Sequence, residues 1–290
     1  MSALFFLPES GLAAAFRRDG YVVADILGAD EVAAMLAEIR HSAVLRANAV
    51  PGRVANLQFL QPQLRIAGIQ DIIHDAGLLS LCRQLLGGGN IILDGASLIV
   101  AEPGCAYAQG WHRDTMQIPP GEVDESWFTE AYFHNNVQIN LALQDDHCLW
   151  FVKGSHARPF TPREAVWFSG DRQMSAIDSD NGLGGEMIEV KAGQAVFYNN
   201  NALHRGYGPL LEHGRATIQL GYHSDLAAPT CHFCVLNAAE YSDAYLRTLA
   251  PEVAAMLLAH RQERDKFPAL ARFQQHHQRF AAKEFNFPKF

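Results

Sequence analysis

Long apolar runs are missing from this sequence. No stretch approaches the ~20 residues that carry a helix across a bilayer. Surplus positive charge is missing too: Lys and Arg number 23 against 31 Asp and Glu, a formal net charge of −8. Without a basic cluster to neutralise phosphates, nucleic acid and an anionic membrane surface are both excluded as expected partners. Cysteine is scarce, five residues at irregular spacing, which does not read as a disulfide framework. The opening residues 1–8 lack a basic segment, and their apolar stretch is too short for a secretory leader. Phosphate-cradling glycine loops and a Gly-x-Ser-x-Gly elbow are also absent. These gaps predict a cytoplasmic protein with a small-molecule partner. Histidine, by contrast, is plentiful at 13 residues, which directs attention to metal ligands.

With 49% hydrophobic and 19% charged residues, the chain has the composition of a globular protein. Its length allows two domains at ~150 residues each, but barrels of this size are routinely single, and one domain over 1–290 is expected. Residues 30–43 place Val32, Met35, Leu36 and Ile39 on one helical stripe behind Asp30 as N-cap. A second helix is expected over 72–86, stopped by Gly87-Gly88-Gly89. From residue 90 the texture changes to short apolar or alternating runs at 90–93, 97–101, 137–143, 149–152, 187–190, 194–198 and 216–222. Gly, Pro, Asp and Asn clusters separate them, as in a sandwich or barrel. After His223 the helical pattern returns, with Pro251 and Pro268 as first-turn prolines. The expected layout is mainly β with flanking helices: a helical part over about 1–89, a β core over about 90–223 and a helical tail over about 224–290, with a long loop at about 115–135.

The chemistry concentrates at Trp111-His112-Arg113-Asp114. On an extended strand, residues i and i+2 share a face, so His112 and Asp114 address one point in space. A histidine after the 194–198 strand, His204, completes two imidazoles and one carboxylate. That donor set leaves coordination positions open and suits Fe(II) oxygen chemistry. A His-x-Asp pair alone is a weak signal, and one more His among 13 adds little. Arg215, eleven residues after His204, strengthens it. It opens a strand on which Arg215, Thr217 and Gln219 share one face and Ala216, Ile218 and Leu220 the other. An inward Arg is expensive unless it meets an anion. A carboxylate taken bidentately fits; a structural ion pair with a core Asp or Glu is the bland alternative.

The ordered set resembles the phytanoyl-CoA dioxygenase superfamily of Fe(II)/2-oxoglutarate-dependent oxygenases. The resemblance covers about residues 15–223. It runs from Phe16-Arg17-Arg18-Asp19-Gly20-Tyr21-Val22-Val23 and the helix after it, through Trp111-His112-Arg113-Asp114 and Leu141-Ala142-Leu143-Gln144-Asp145-Asp146, to Lys153-Gly154-Ser155-His156, Ala192-Gly193, His204-Arg205-Gly206 and Arg215. It implies a double-stranded β-helix, the jelly roll of cupins. It also implies Fe(II) held by His112, Asp114 and His204, 2-oxoglutarate as co-substrate with its distal carboxylate on Arg215, and O2 as oxidant. The sequence departs from the family pattern in three places. Lys153 stands where proline is common, the turn Asp145-Asp146-His147-Cys148 is short and lacks the usual Asn-Gly, and Gly206 replaces a serine that assists the arginine in some members. Thr217, on the face of Arg215, is the expected substitute.

Gln138 and Asn140 alternate with Val137, Ile139 and Leu141, so one strand face carries amides that either reach the co-substrate or face solvent. Asn56 and Gln58 align loosely with polar contacts of related enzymes. Trp127, Phe128, Tyr132 and Phe133 on the long loop either cover a substrate or anchor the loop. His156 reads as a turn residue, and His276-His277 as solvated surface. The Cys-x-x-Cys at Cys231 and Cys234 lacks the second ligand pair a zinc site needs. The expected activity is a dioxygenase that hydroxylates a C–H bond of a small metabolite and releases succinate and CO2. A non-oxidative cupin-type metal-binding protein is the alternative, and it has no use for an inward Arg215.

Overall fold

The computed structural model describes residues 9–42, 54–58, 67–114, 134–167, 182–227 and 242–266. In chain order its elements are α1 (Glu9–Asp19), β1 (Tyr21–Asp25), α2 (Ala29–His41), β2 (Ala55–Gln58), α3 (Ala67–Ile73), α4 (Ala76–Leu85), β3 (Ile91–Ala101), β4 (Cys105–Ala108), β5 (Val137–Ala142), β6 (Asp146–Phe151), α5 (Pro162–Trp167), β7 (Glu186–Val190), β8 (Gln194–Tyr198), β9 (His204–Leu211), β10 (Arg215–Ser224), α6 (Asp243–Leu246) and α7 (Pro251–Lys266). A 3₁₀ turn spans Ser155–Ala157. The strands form a six-stranded sheet, β1-β8-β5-β10-β3-β2, and a four-stranded sheet, β4-β9-β6-β7. All pairings are antiparallel.

Strand alternation divides the larger sheet into two environments. Its outward residues, among them Ile139, Leu141, Phe197, Ile218, Leu220, Tyr222, Leu93 and Leu98, join Phe16, Val32, Met35, Ile39, Ile69, Leu78, Leu81, Val253 and Leu257 of the helices in one core. Each such side chain contributes roughly 1.5–3 kcal/mol of burial. The inward residues Ala142, Val196 and Tyr198 meet Leu149, Phe151, Ile188 and Val190 of the smaller sheet, which closes the jelly roll. The expected fold is the observed one.

Two strands lie in the part expected to be helical. β1 zips onto β8 from Tyr21–Tyr198 to Asp25–Gln194, and β2 borders β3. The run Tyr21-Val22-Val23 is β-favouring, and a free edge at β8 supplies its partner. Gly20, at φ 88°, turns α1 into β1 where a Cβ would stand 2.6 Å from His156 Nδ1. β4 and β9 were also outside the expected strands. β9 carries two glycines and Pro209, which hide it from a reading by composition, yet it pairs on both sides. α7 begins at Pro251 as expected. Pro268, Cys231, Cys234, His276, His277 and the loop bearing Trp127, Phe128, Tyr132 and Phe133 lie outside the described residues. Among the described residues, no helix is long and apolar enough to cross a membrane.

Candidate metal centre

His112 and His204 face one another across an isolated antiparallel bridge. Each backbone N–H donates to the other's carbonyl at 3.0 Å. Such a doubly bonded pair sends both side chains to the same side, and the two rings lie 4.4 Å apart, centroid to centroid. His112 therefore belongs to no continuous strand, contrary to the extended strand expected there. One bridge replaces it, and Asp114 follows in a tighter turn. Asp114 Oδ1 is 3.5 Å from His112 Nε2 and 3.9 Å from His204 Nε2. The three donor atoms lie within 4.8 Å of one another, the only such group of three among the described residues.

The backbone fixes the imidazole tautomers. His112 Nδ1 lies 2.8 Å from the Gly110 carbonyl and His204 Nδ1 2.9 Å from that of Ala202. A carbonyl only accepts, so each Nδ1 carries the hydrogen and each Nε2 keeps its lone pair for a cation. Asp114 is held through its main chain: its N–H donates to Asn200 O at 3.0 Å, and the Asn200 N–H donates to Asn136 Oδ1 at 2.8 Å. Between the ligands, the Arg113 guanidinium turns away from the centre and donates to the Ser155 and Asn201 carbonyls. Burial disfavours the charged form of His112, but the hydrogen bond and charge of Asp114 outweigh this and raise its pKa. A cation placed among these donors takes over the role of that proton, so the donor set fits a divalent metal of the Fe(II) type.

Further along the interior, Arg215 meets a carboxylate from its own chain. Its Nε donates to Asp146 Oδ2 at 2.8 Å, and the Thr217 hydroxyl donates to the same oxygen at 2.7 Å. The Cys148 N–H donates to Asp146 Oδ1 at 2.8 Å. Burial alone would lift the Asp146 carboxyl, yet the Arg215 charge and these hydrogen bonds hold it below the usual carboxylate range. The guanidinium stacks over the Tyr107 ring at 4.9 Å. Gly206 makes room for that ring, since a Cβ there would lie 2.0 Å from Tyr107 Cε1. The glycine that departs from the family's serine thus admits an aromatic support for the arginine. Arg215 Nη1 is buried and has no hydrogen-bond partner.

Polar side chains line the space between these two ends. Gln138 and Asn140 oppose Gly221 and Gln219 on β10 and face the interior, the first of the two orientations that the alternation left open. Gln138 Nε2 donates to the Tyr198 hydroxyl, and the Tyr198 ring stands edge-on to His204 at 5.3 Å. Gln219 bonds Asn140 and accepts from Ser97. At the far end of β10, His223 and Asp94 form a buried inward pair at 2.7 Å. Asn56 lies opposite Ile99, and Gln58 opposite Ser97. His156 sits in the 3₁₀ turn near the Arg17 carbonyl, 3.1 Å away, a structural position as expected.

The structure assembles His112, Asp114 and His204, and sets Arg215, Thr217, Gln138 and Asn140 on inner faces of the same roll. Asp146, Tyr107, Tyr198, Asn136 and the Asp94–His223 pair were not singled out from sequence. Asp146 did lie within a motif matched to the family, but its role depends on a contact across 69 residues that spacing does not reveal.

A jelly roll carrying an inward two-histidine, one-carboxylate site is the scaffold of metal-dependent oxygenases. The family model described as phytanoyl-CoA dioxygenase matches residues 16–209, and the chain belongs to that family. The match includes all three metal donors and ends before Arg215. No curated protein sequence matches. Among solved structures, HygX from Streptomyces hygroscopicus, with nickel and 2-oxoglutarate bound, is similar at 18% identity and a TM-score of 0.58, over 76% of this chain and 88% of that one. AviO1 from Streptomyces viridochromogenes Tue57 aligns at 22% identity and a TM-score of 0.55, over 79% and 99%. The epimerase SnoN, in complex with Fe3+, alpha-ketoglutarate and nogalamycin RO, aligns at 22% and 0.54, over 77% and 86%. These likenesses concern the fold.

Proposed function

We propose that the protein is a single-domain, cytoplasmic Fe(II)- and 2-oxoglutarate-dependent dioxygenase that hydroxylates an unactivated C–H bond of a small metabolite, with release of succinate and CO2. The observation that carries this reading is the pairing, in one interior, of three donors aimed at a common point with a buried guanidinium whose Nη1 has no partner. His112, Asp114 and His204 hold the metal, leaving positions for other ligands. Bound Fe(II) supplies the activation of O2 that drives decarboxylation of the keto acid and oxidation of the substrate. Arg215 offers its Nη edge to the distal carboxylate of 2-oxoglutarate while Asp146 and Tyr107 keep the guanidinium plane in place. Gln138 and Asn140 supply amide contacts to the co-substrate, and Thr217 acts alongside Arg215 through Asp146. Trp127, Phe128, Tyr132 and Gln58 are the proposed substrate contacts. The HygX and SnoN complexes with the same keto acid support this reading by analogy.

A second reading has an observation of its own. Asp146 satisfies Arg215 without any incoming anion, which is what a non-oxidative cupin-type metal protein would need. Turnover separates the two. Protein with Fe(II), 2-oxoglutarate and O2 is screened against a metabolite library for succinate, and products are weighed for a gain of 16 or a loss of 2 mass units. Succinate formation coupled to a +16 product supports the hydroxylase. Tight Fe(II) binding with no succinate above the metal-only control favours the second reading.

A further inference from the structure

The buried pair of Arg215 and Asp146 sets a condition on the keto acid that the metal site does not. Arg215 and Asp146 are 4% and 6% exposed, so neither charge is answered by water. Asp146 is held at both oxygens: Oδ2 takes the Arg215 Nε–H and the Thr217 hydroxyl, and Oδ1 takes the Cys148 N–H. It cannot swing away to admit another anion without breaking all three bonds. The guanidinium is pinned from a second side by the Tyr107 ring at 4.9 Å. A ligand carboxylate therefore reaches Arg215 only at its Nη edge, where Nη1 is buried without a partner, and it arrives beside a charge that is already neutralised.

We propose that Asp146 makes this pocket tolerant of 2-oxo acids that lack a distal carboxylate. The inference rests on the reading of Arg215 as the distal-carboxylate site. A bare buried arginine rejects such an acid, because the acid leaves the arginine as an uncompensated charge. With Asp146 in place, a monocarboxylic keto acid leaves a neutral ion pair behind. A dicarboxylic one adds a second anion to a single guanidinium. The gain from the distal carboxylate is therefore cut from both directions, and selectivity for 2-oxoglutarate over a keto acid of equal length is low.

The test is calorimetric binding to the Fe(II)-loaded protein under anaerobic conditions, which needs no turnover. The probes are 2-oxoglutarate and 2-oxopentanoate, which has a methyl group in place of the distal carboxylate. The native protein is expected to prefer 2-oxoglutarate by less than about 30-fold, the lower bound (about 2 kcal/mol) for a buried charge pair truncated on one side. Asp146→Asn, which keeps the shape and removes the charge, is expected to raise that preference at least about tenfold. A native preference above about 30-fold overturns the proposal, whether or not the variant folds. A preference unchanged in Asp146→Asn overturns it as well, while leaving 2-oxoglutarate as the co-substrate. If neither acid binds the native protein, the co-substrate reading fails, and the proposal with it.

Discussion

The two ends of the barrel interior solve the same problem in opposite ways. At the metal end, His112, His204 and Asp114 aim donor atoms at one point, and the backbone bridge, the two Nδ1 contacts and the Asn136–Asn200 relay hold them there. The cluster is left for a cation to complete. At the other end, the chain supplies its own counter-charge, because Asp146 answers the buried Arg215. A site built for a resident ion is preorganised and open. On the proposed reading, the Arg215 end serves a co-substrate that leaves at every turnover, and the ion pair keeps it stable without that ligand, since an unpaired buried charge costs several kcal/mol.

The largest effects are expected at the metal end. His204→Ala or Asp114→Ala removes a donor no neighbour replaces. Fe(II) affinity is expected to fall by more than the ~10–100-fold typical of losing an outer hydrogen-bond partner, with the circular dichroism of the native fold retained. Native-like Fe(II) affinity in either variant would contradict the ligand assignment. Arg215→Leu is next. It strands Asp146 as a buried charge, so thermal or denaturant unfolding is expected to show a loss of about 3–5 kcal/mol. Because the stranded Asp146 charge then also repels the distal carboxylate, the Kd of 2-oxoglutarate is expected to rise about 30-fold or more, with Fe(II) binding preserved. Arg215→Lys restores only part, because an ammonium lacks the planar fork. If unfolding stability were unchanged in Arg215→Leu, the two ends would not differ as described.

Smaller changes sharpen the contrast. Gly206→Ala lies two residues from His204 yet pushes on Tyr107. It is expected to cost about 1–3 kcal/mol as overpacking and to weaken keto-acid binding more than Fe(II) binding. Asn136→Ala is expected to do the reverse, weakening Fe(II) about tenfold through Asp114. Calorimetry on both variants with both ligands checks the crossing. The smallest effect concerns pH. Asp146 is held below its usual range, so the stability it contributes is complete above an unfolded carboxylate pKa of about 3.9 and is lost as pH falls through the lower folded value. The stability gap between native protein and Asp146→Asn should hold from neutral pH to about pH 4 and close below it. A gap that instead closes as pH rises would give the pair the wrong sign.

Much of this was legible in the sequence because it is written at short range. Alternation placed Gln138 and Asn140 on one strand face, with inward as one of two readings, the residues 30–43 stripe predicted α2, and the order of His112, Asp114 and His204 marked the candidate donors. β1 and β2 were missed since an edge strand is decided by a free partner edge, not by its own few residues. β9 was missed because its glycines serve packing: Gly206 leaves space for the Tyr107 ring. Asp146 looked like a turn residue because its meaning lies on another strand. Sequence reasoning gave both readings of Arg215, an incoming carboxylate or a structural ion pair. The structure presents the ion pair at Nε, with Nη1 buried and without a hydrogen-bond partner.

Anaerobic titration of the Fe(II)-loaded protein with 2-oxoglutarate, followed in the visible spectrum, tests the central claim most directly. A keto acid chelating iron held by His112, Asp114 and His204 gives a weak charge-transfer band. The band is expected to saturate at stoichiometric keto acid and to be absent in His204→Ala. Native protein that binds Fe(II) but develops no band at saturating 2-oxoglutarate would contradict that claim.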